Sequence, residues 1–171
     1  MTTDIVIRLL TELDAPAFQE LRLHALASHP EAFGASYEEE ASLPVETVRS
    51  RLSSSGPNAV FGAYAGERLV GMAGFTVYER IKASHKGVMW GVFVRPEWRG
   101  RSVGKALVSR VIEHASGHVI ILEAAVSMAN ESARRTYHGL GFEAYGVERK
   151  ALRVGDAFYD EELLLIELPG P

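Results

Sequence analysis

Val92-Phe93-Val94-Arg95-Pro96-Glu97-Trp98-Arg99-Gly100-Arg101-Ser102-Val103-Gly104-Lys105-Ala106-Leu107 is the most informative run in the chain. An apolar strand ends at a proline, a short basic turn with glycines follows, and a helix begins at once. The first amides of a helix have no internal partners and point outward at the positive end of its dipole. Such an end is a ready anion site, and phosphate is its usual guest. Gly100 and Gly104 keep side chains out of the way of a diphosphate. Ser102 can cap the helix and offer its hydroxyl, and Arg99, Arg101 and Lys105 add positive charge. The same residues also read as a plain strand–turn–helix with solvated arginines. Two other phosphate turns fit poorly. There is no G-x-x-x-x-G-K-[ST] spacing, and no early βαβ unit precedes the turn.

Working outward, an α+β pattern surrounds this turn. On the N-terminal side, Asp4 to Leu10 reads as a strand. Asp14 fits a helix N-cap, Pro16 its first turn, and Phe18, Leu21, Ala25 and Leu26 an apolar stripe that Pro30 ends. Phe33 to Leu43 is polar and acidic and reads as a loop. Pro44 to Leu52 reads as a short helix, closed by the breaker at 53–57. Strands Ala59–Ala65 and Arg68–Glu79 flank a Gly66-Glu67 hairpin turn, and a basic stretch around Lys82–Lys86 leads to strand Val88–Val94. On the C-terminal side come a helix from about Ser102 to Ala115, strand Val119–Val126, and helix Asn130–Leu140 ended by Gly141. Strands Phe142–Arg149 and Ala157–Leu168 close the chain. No linker divides it, so residues 1–171 read as a single domain with parallel crossovers around the two later helices.

The bulk numbers agree. A chain of 171 residues, 47% hydrophobic and 23% charged, is long enough to bury a core. A net charge of -4 offers no basic field for nucleic acid. The absence of cysteine removes disulfides, thiolate metal sites and a cysteine nucleophile. No apolar run approaches the ~20 residues of a membrane span, and MTTDIVIRLL carries no signal pattern. These features lead us to expect a cytoplasmic protein with no metal, no nucleic acid and no membrane partner.

The turn resembles the acetyl-CoA signature of the GNAT superfamily, [Q/R]-x-x-G-x-[G/A], placed after a strand ending in V-x-P. Arg99 fills the first position and Gly104 the last, while Ser102 replaces the middle glycine. A second run, Asn130 to Phe142, resembles the family's N-x-x-A-x-x-x-Y-x-x-x-G-F at Asn130, Ala133, Tyr137, Gly141 and Phe142. Asn130 and Tyr137 are nearly two turns apart and so share a helix face. Taken alone, Asn130 is equally an N-cap and Tyr137 a core aromatic. The two signatures occur in order, about 30 residues apart with a strand between, and the resemblance covers most of the chain.

The resemblance implies a twisted mixed sheet of about seven strands flanked by about four helices, splayed between the fourth and fifth strands. It implies an acyltransferase that moves an acetyl group from acetyl-CoA to a primary amine, directly in a ternary complex, with a small molecule as the leading acceptor. A protein N-terminus or lysine is a rival acceptor, and a non-catalytic acyl-CoA-binding module a rival class. The amides of Arg99, Gly100, Arg101, Ser102, Val103, Gly104 and Lys105 would hold the diphosphate. Backbone at Phe93 and Val94 would pair with the pantetheine arm, the Val94 amide facing the thioester carbonyl. Asn130 would bond the arm or the diphosphate, and Tyr137 would protonate the departing thiolate. Homodimer formation through edge strands is left open.

The general base is less legible. The stretch before the turn carries no acid, and the position five residues before Asn130 is Ala125. Glu123 lies one pleat away on the same face, and a carboxylate in an apolar strand should have a raised pKa. An ion pair with a basic neighbour is the structural alternative for Glu123; His85, Glu79 and a water chain are weaker candidates. By resemblance the first two helices and last strands recognise the acceptor. They offer Phe33, Tyr37, Glu38 and Tyr159, with Arg22, His24, Glu39, Glu40 and Tyr78 nearby. An acidic mouth at Glu38–Glu40 would favour a cationic amine, although such a run also reads as a solvated surface.

Overall fold

A computed structural model describes residues 4–53 and 55–171; Ser54, in the breaker at 53–57, lies outside the described residues. The chain runs β1 (Ile5–Leu9), α1 (Ala15–Ser28), α2 (Tyr37–Ala41), α3 (Val45–Arg51), β2 (Ala59–Ala65), β3 (Arg68–Val77), β4 (Lys86–Val94), α4 (Val103–Ser116), β5 (Ile121–Ser127), α5 (Glu131–Gly139), β6 (Glu143–Val154) and β7 (Ala157–Glu167). The strands form one seven-stranded sheet in the order β1-β2-β3-β4-β5-β7-β6. Every pairing is antiparallel except β4 with β5. Among the described residues no helix is long and apolar enough to cross a membrane.

Alternation along the strands builds a core on each face. Leu122, Ala124 and Val126 of β5 join Leu107, Val108 and Val111 of α4 on one side. Phe18, Leu21, Ala25 and Leu26 of α1 pack with Leu69, Met72 and Phe93 on the other.

Two features open the sheet. β4 pairs with β5 only from Lys86↔Ile121 to Val88↔Glu123, yet β4 continues to Val94 and β5 to Ser127. Just past that last rung β4 bulges. Trp90 faces Gly74 and Phe93 faces Met72, so Gly91 and Val92 share one place on β3. Gly91 takes φ +63°, which a glycine supplies without strain. The expected splay between the fourth and fifth strands is thus present.

Two local expectations are corrected. The segment read as a loop, Phe33 to Leu43, contains α2. Ser36 accepts from the Glu39 amide (3.2 Å), and Glu39 accepts from the Ser36 amide (2.9 Å). This is a capping box, and its S-x-x-E signature was there to be read. Asp14 sits before α1 as expected, but its side chain does not cap that helix. It instead accepts from Arg8 (2.7 and 2.9 Å), the Thr11 amide (2.8 Å) and the Tyr64 hydroxyl (2.8 Å). Arg8, the Thr11 amide and Tyr64 together hold the Asp14 carboxyl well below the usual carboxylate range.

Candidate active site

The splay leaves a cleft of about 680 Å³ between β4, β5, the start of α4 and one face of α5. Phe93, Val94, Arg99, Gly100, Ser102, Val103, Gly104, Lys105, Asn130 and Tyr137 all line it, together with Phe33.

The anion end is built from backbone. The first helical bond of α4 runs from the Ala106 amide to the Ser102 carbonyl (3.0 Å). The amides of Val103, Gly104 and Lys105 therefore have no helical acceptor. Ser102 does not cap α4. It takes φ +60°, ψ +15°, with no side-chain cap bond. The position that departs from the signature is the one whose backbone favours glycine. Arg99 folds back over the strand: its Nε donates to the Val94 carbonyl (3.0 Å), and its guanidinium lies 5.6 Å above the Phe93 ring. The Arg101 guanidinium is held 4.9 Å over the Trp98 ring, and Arg101 does not line the cleft.

Strand parity separates Phe93 from Val94. The Arg95 amide donates to the Val70 carbonyl (2.8 Å), making that antiparallel pair a hydrogen-bonded one. Alternation then turns the Phe93 amide and carbonyl toward β3 and those of Val94 into the cleft. The backbone role expected of Phe93 is corrected, since that backbone is engaged by β3. Its ring forms wall instead, against Phe33 (6.4 Å between centroids) and His29 (5.9 Å).

On α5, Asn130 is the N-cap, its Oδ1 accepting from the Ala133 amide (3.1 Å), which leaves Nδ2 for a ligand. Tyr137 is 6% exposed and rests on Phe142 (5.8 Å). Burial alone pushes its phenol pKa far up. Sequence reasoning missed what positions this helix. Glu162 on β7 is buried and accepts from Arg134 Nε (2.6 Å), with His138 Nε2 at 3.0 Å. The available signal was Glu162, last of the acids Asp160-Glu161-Glu162, in alternation with the apolar Leu164 and Ile166.

The raised pKa expected at Glu123 is corrected. Its carboxylate takes the Lys86 ammonium (2.8 Å) and the Tyr78 hydroxyl (2.7 Å). Burial pushes the group up, but Lys86 and Tyr78 together outweigh it, and the pKa lies below the ordinary value. Burial and this same carboxylate push Tyr78 up to about 12. The carboxylate that does move upward is Glu161, raised by burial and by the nearby Glu148. It lines neither cavity itself, but its partner across the strand, Ser127, lines the cleft.

The acceptor residues divide. Phe33 lines both the cleft and a second depression of about 560 Å³ between the α1–α2 connection and the tip of the β6–β7 hairpin. Tyr37 and Glu38 line that depression. Tyr159 pairs with Leu152 and lines neither space. Nor do Glu38–Glu40 act as one acidic mouth. Glu39 closes the cap of α2, and Glu40 is 4% exposed between Arg22 (3.1 Å) and Arg51 (2.7 Å).

Residues 13–142 match the Acetyltransferase (GNAT) family. The chain belongs to this family. As a GNAT protein it is an acyltransferase that uses acetyl-CoA. It is similar to the N-alpha-acetyltransferase RimI of Mycobacterium tuberculosis, 28% identical over 156 residues, which span 91% of this chain and 89% of the relative. A GNAT-family acetyltransferase structure from Streptococcus pneumoniae superposes with a TM-score of 0.84 at 19% identity, covering 96% of this chain and 99% of that one. A Salmonella typhimurium structure solved with its cofactor acetyl-CoA gives 0.79 at 19% identity, covering 96% and 94%. The GNAT cleft fits that group by the chemistry of its donors: three amides without helical acceptors at one end, an inward Val94 amide along the strand, and a phenol at the other side.

Proposed function

We propose that this chain acetylates a primary amine of a small molecule by direct transfer within a ternary complex. Acetyl-CoA supplies the activated thioester. The Val103–Lys105 amides hold the diphosphate, and Asn130 Nδ2 steadies the arm. The Val94 amide faces the acyl carbonyl and stabilises negative charge as it develops there. Glu161, paired across the sheet with the cleft-lining Ser127, accepts the proton of the attacking amine through a water. Nitrogen bonds to the carbonyl carbon, the carbon–sulfur bond breaks, and Tyr137 gives its proton to the leaving thiolate. Glu123, neutralised by Lys86, shapes the site and takes no proton.

The carrying observation is that the amides at the head of α4, the Val94 amide and the Tyr137 hydroxyl converge on one cleft. The test is thiol release from acetyl-CoA across a panel of small amines and N-terminal peptides. Amine-dependent release supports the reading, and release that no amine accelerates contradicts it. A second reading, acetylation of a protein N-terminus, draws support from the open depression that continues the cleft past Phe33. It also draws support from the likeness to a relative named as an N-alpha-acetyltransferase. Preference for peptides over small amines in the same panel would select it.

A further inference from the structure

Arg22 lies on the buried side of α1, 6% exposed, and its charge is not balanced. Its Nη2 reaches Glu40 Oε1 at 3.1 Å, but Glu40 is shared with Arg51, which takes Oε2 at 2.7 Å. Two guanidiniums thus face one carboxylate, leaving one positive charge in excess. Two aromatic rings flank the Arg22 guanidinium, Trp90 at 5.2 Å and Phe33 at 6.0 Å. Arg22 Nε is buried without any hydrogen-bond partner. A charged donor left so is costlier than a neutral one, and native structures rarely keep one without a use.

The position of this charge says what it is for. Trp90, Phe33 and Gly91, its immediate neighbours, all line the cleft. Gly91 is the bulge residue at which β4 leaves β5. A side chain there would meet one atom within 4 Å, Arg22 Nη1 at 3.2 Å. Glycine therefore leaves a window from the parting of the strands to the guanidinium. The window opens on the face of the sheet that carries α1 and α3, opposite the face covered by α4 and α5.

We propose that Arg22 anchors a carboxylate of the acceptor, so that the amine acetylated here carries its own carboxylate a few bonds away, as an amino acid does. The inference rests on the amine-acetyltransferase reading above and names its substrate class. The fixed fork of the guanidinium suits a carboxylate, and the aromatic walls exclude the water that would screen the pair. The carboxylate completes the set begun by Glu40, matching two cations with two anions. Held there, the acceptor's amine reaches back through the window toward the carbonyl that the Val94 amide faces.

The test compares an α-amino acid with its carboxamide and with the decarboxylated amine, each with acetyl-CoA, in wild type, Arg22→Gln and Arg22→Lys. Wild type should favour the amino acid by at least about tenfold in kcat/KM. Arg22→Gln should lose about 100-fold on the amino acid, mainly through KM, and stay within about threefold on the carboxamide. Arg22→Lys should recover part of the preference. Equal losses on both acceptors, or no preference in wild type, overturn the proposal. If Arg22→Gln fails to fold, as its thermal transition will show, the wild-type preference and Arg22→Lys decide. A parallel arm with peptides of acidic or neutral second residue tells whether the carboxylate is that of a free amino acid or an acidic side chain beside a peptide N-terminus. Amine turnover without carboxylate preference refutes this inference alone, whereas no turnover with any amine refutes the reading beneath it.

Discussion

The Lys86 ammonium lies 2.8 Å from Glu123 Oε1, and both residues belong to the short stretch where β4 and β5 are still paired. The pair, with the Tyr78 hydroxyl, fastens the two strands immediately before they part. An acid that the sequence offers as a base thereby becomes a structural anchor. Glu123→Gln should lower stability by about 1–2 kcal/mol at pH 7, after allowing for partial exposure. Because the folded pKa is depressed, this contribution is present above the ordinary carboxylate range and is lost as pH falls through the folded value. Thermal unfolding should show the gap between wild type and variant closing below about pH 4.5, with the pH profile of kcat unchanged in shape.

Tyr137→Phe should reduce kcat by about 10²-fold or more while leaving the affinity for CoA within about threefold. Burial holds the phenol protonated, so in wild type the acid form persists through pH 9 and sets no alkaline limb there. Steady-state rates from pH 6 to 9, with CoA binding measured separately, check both statements. An unchanged kcat would remove Tyr137 from the proton path.

Glu161→Gln should remove the acid limb of kcat/KM. Burial and Glu148 raise the Glu161 pKa. In wild type the rate should therefore climb as pH rises through a value above the usual 4.5, and the variant should lose about 10²-fold with a flat acid side. A pH profile that keeps its acid limb in Glu161→Gln would assign the proton elsewhere.

Much of this site could be read locally. The Asn130–Tyr137 face depends on neighbours within a turn or two of helix and folds as its residue types suggest, with Asn130 capping α5. The phosphate turn is local too, but its Ser102 takes a left-handed backbone and leaves α4 uncapped. The rest rests on partners distant in the chain. Glu123 meets Lys86 and Tyr78 from two other strands. Glu40, read as part of an acidic run, turns inward because Arg22 and Arg51 reach it from α1 and α3. Neither pairing leaves a periodic trace in the sequence. The β4 bulge left one faint sign, Gly91 within an apolar run, and the capping box at Ser36 was legible but hidden by the acidity around it.

Ser102→Gly should stabilise the free protein. A non-glycine residue in the left-handed region costs about 1–2 kcal/mol, and glycine returns about 0.5–1 kcal/mol of that through chain entropy. The net gain of about 0.5–1 kcal/mol should appear as a rise of a few degrees in Tm, with CoA affinity kept or improved. A fall in Tm would mean that the serine side chain makes a contribution the geometry does not reveal.

The central claim, that the head of α4 holds the CoA diphosphate, is tested most directly by calorimetric titration of CoA into wild type and Gly104→Asp. A Cβ at Gly104 meets nothing closer than Val94 Cγ2 at 3.7 Å, so the first atom of the new side chain fits. The carboxylate that follows it stands among the anion-binding amides. The account predicts saturable binding in wild type, weakened about 100-fold or more in the variant, at an unchanged ligand-free Tm. Absence of binding to wild type at millimolar CoA, or equal affinity in Gly104→Asp, would contradict it.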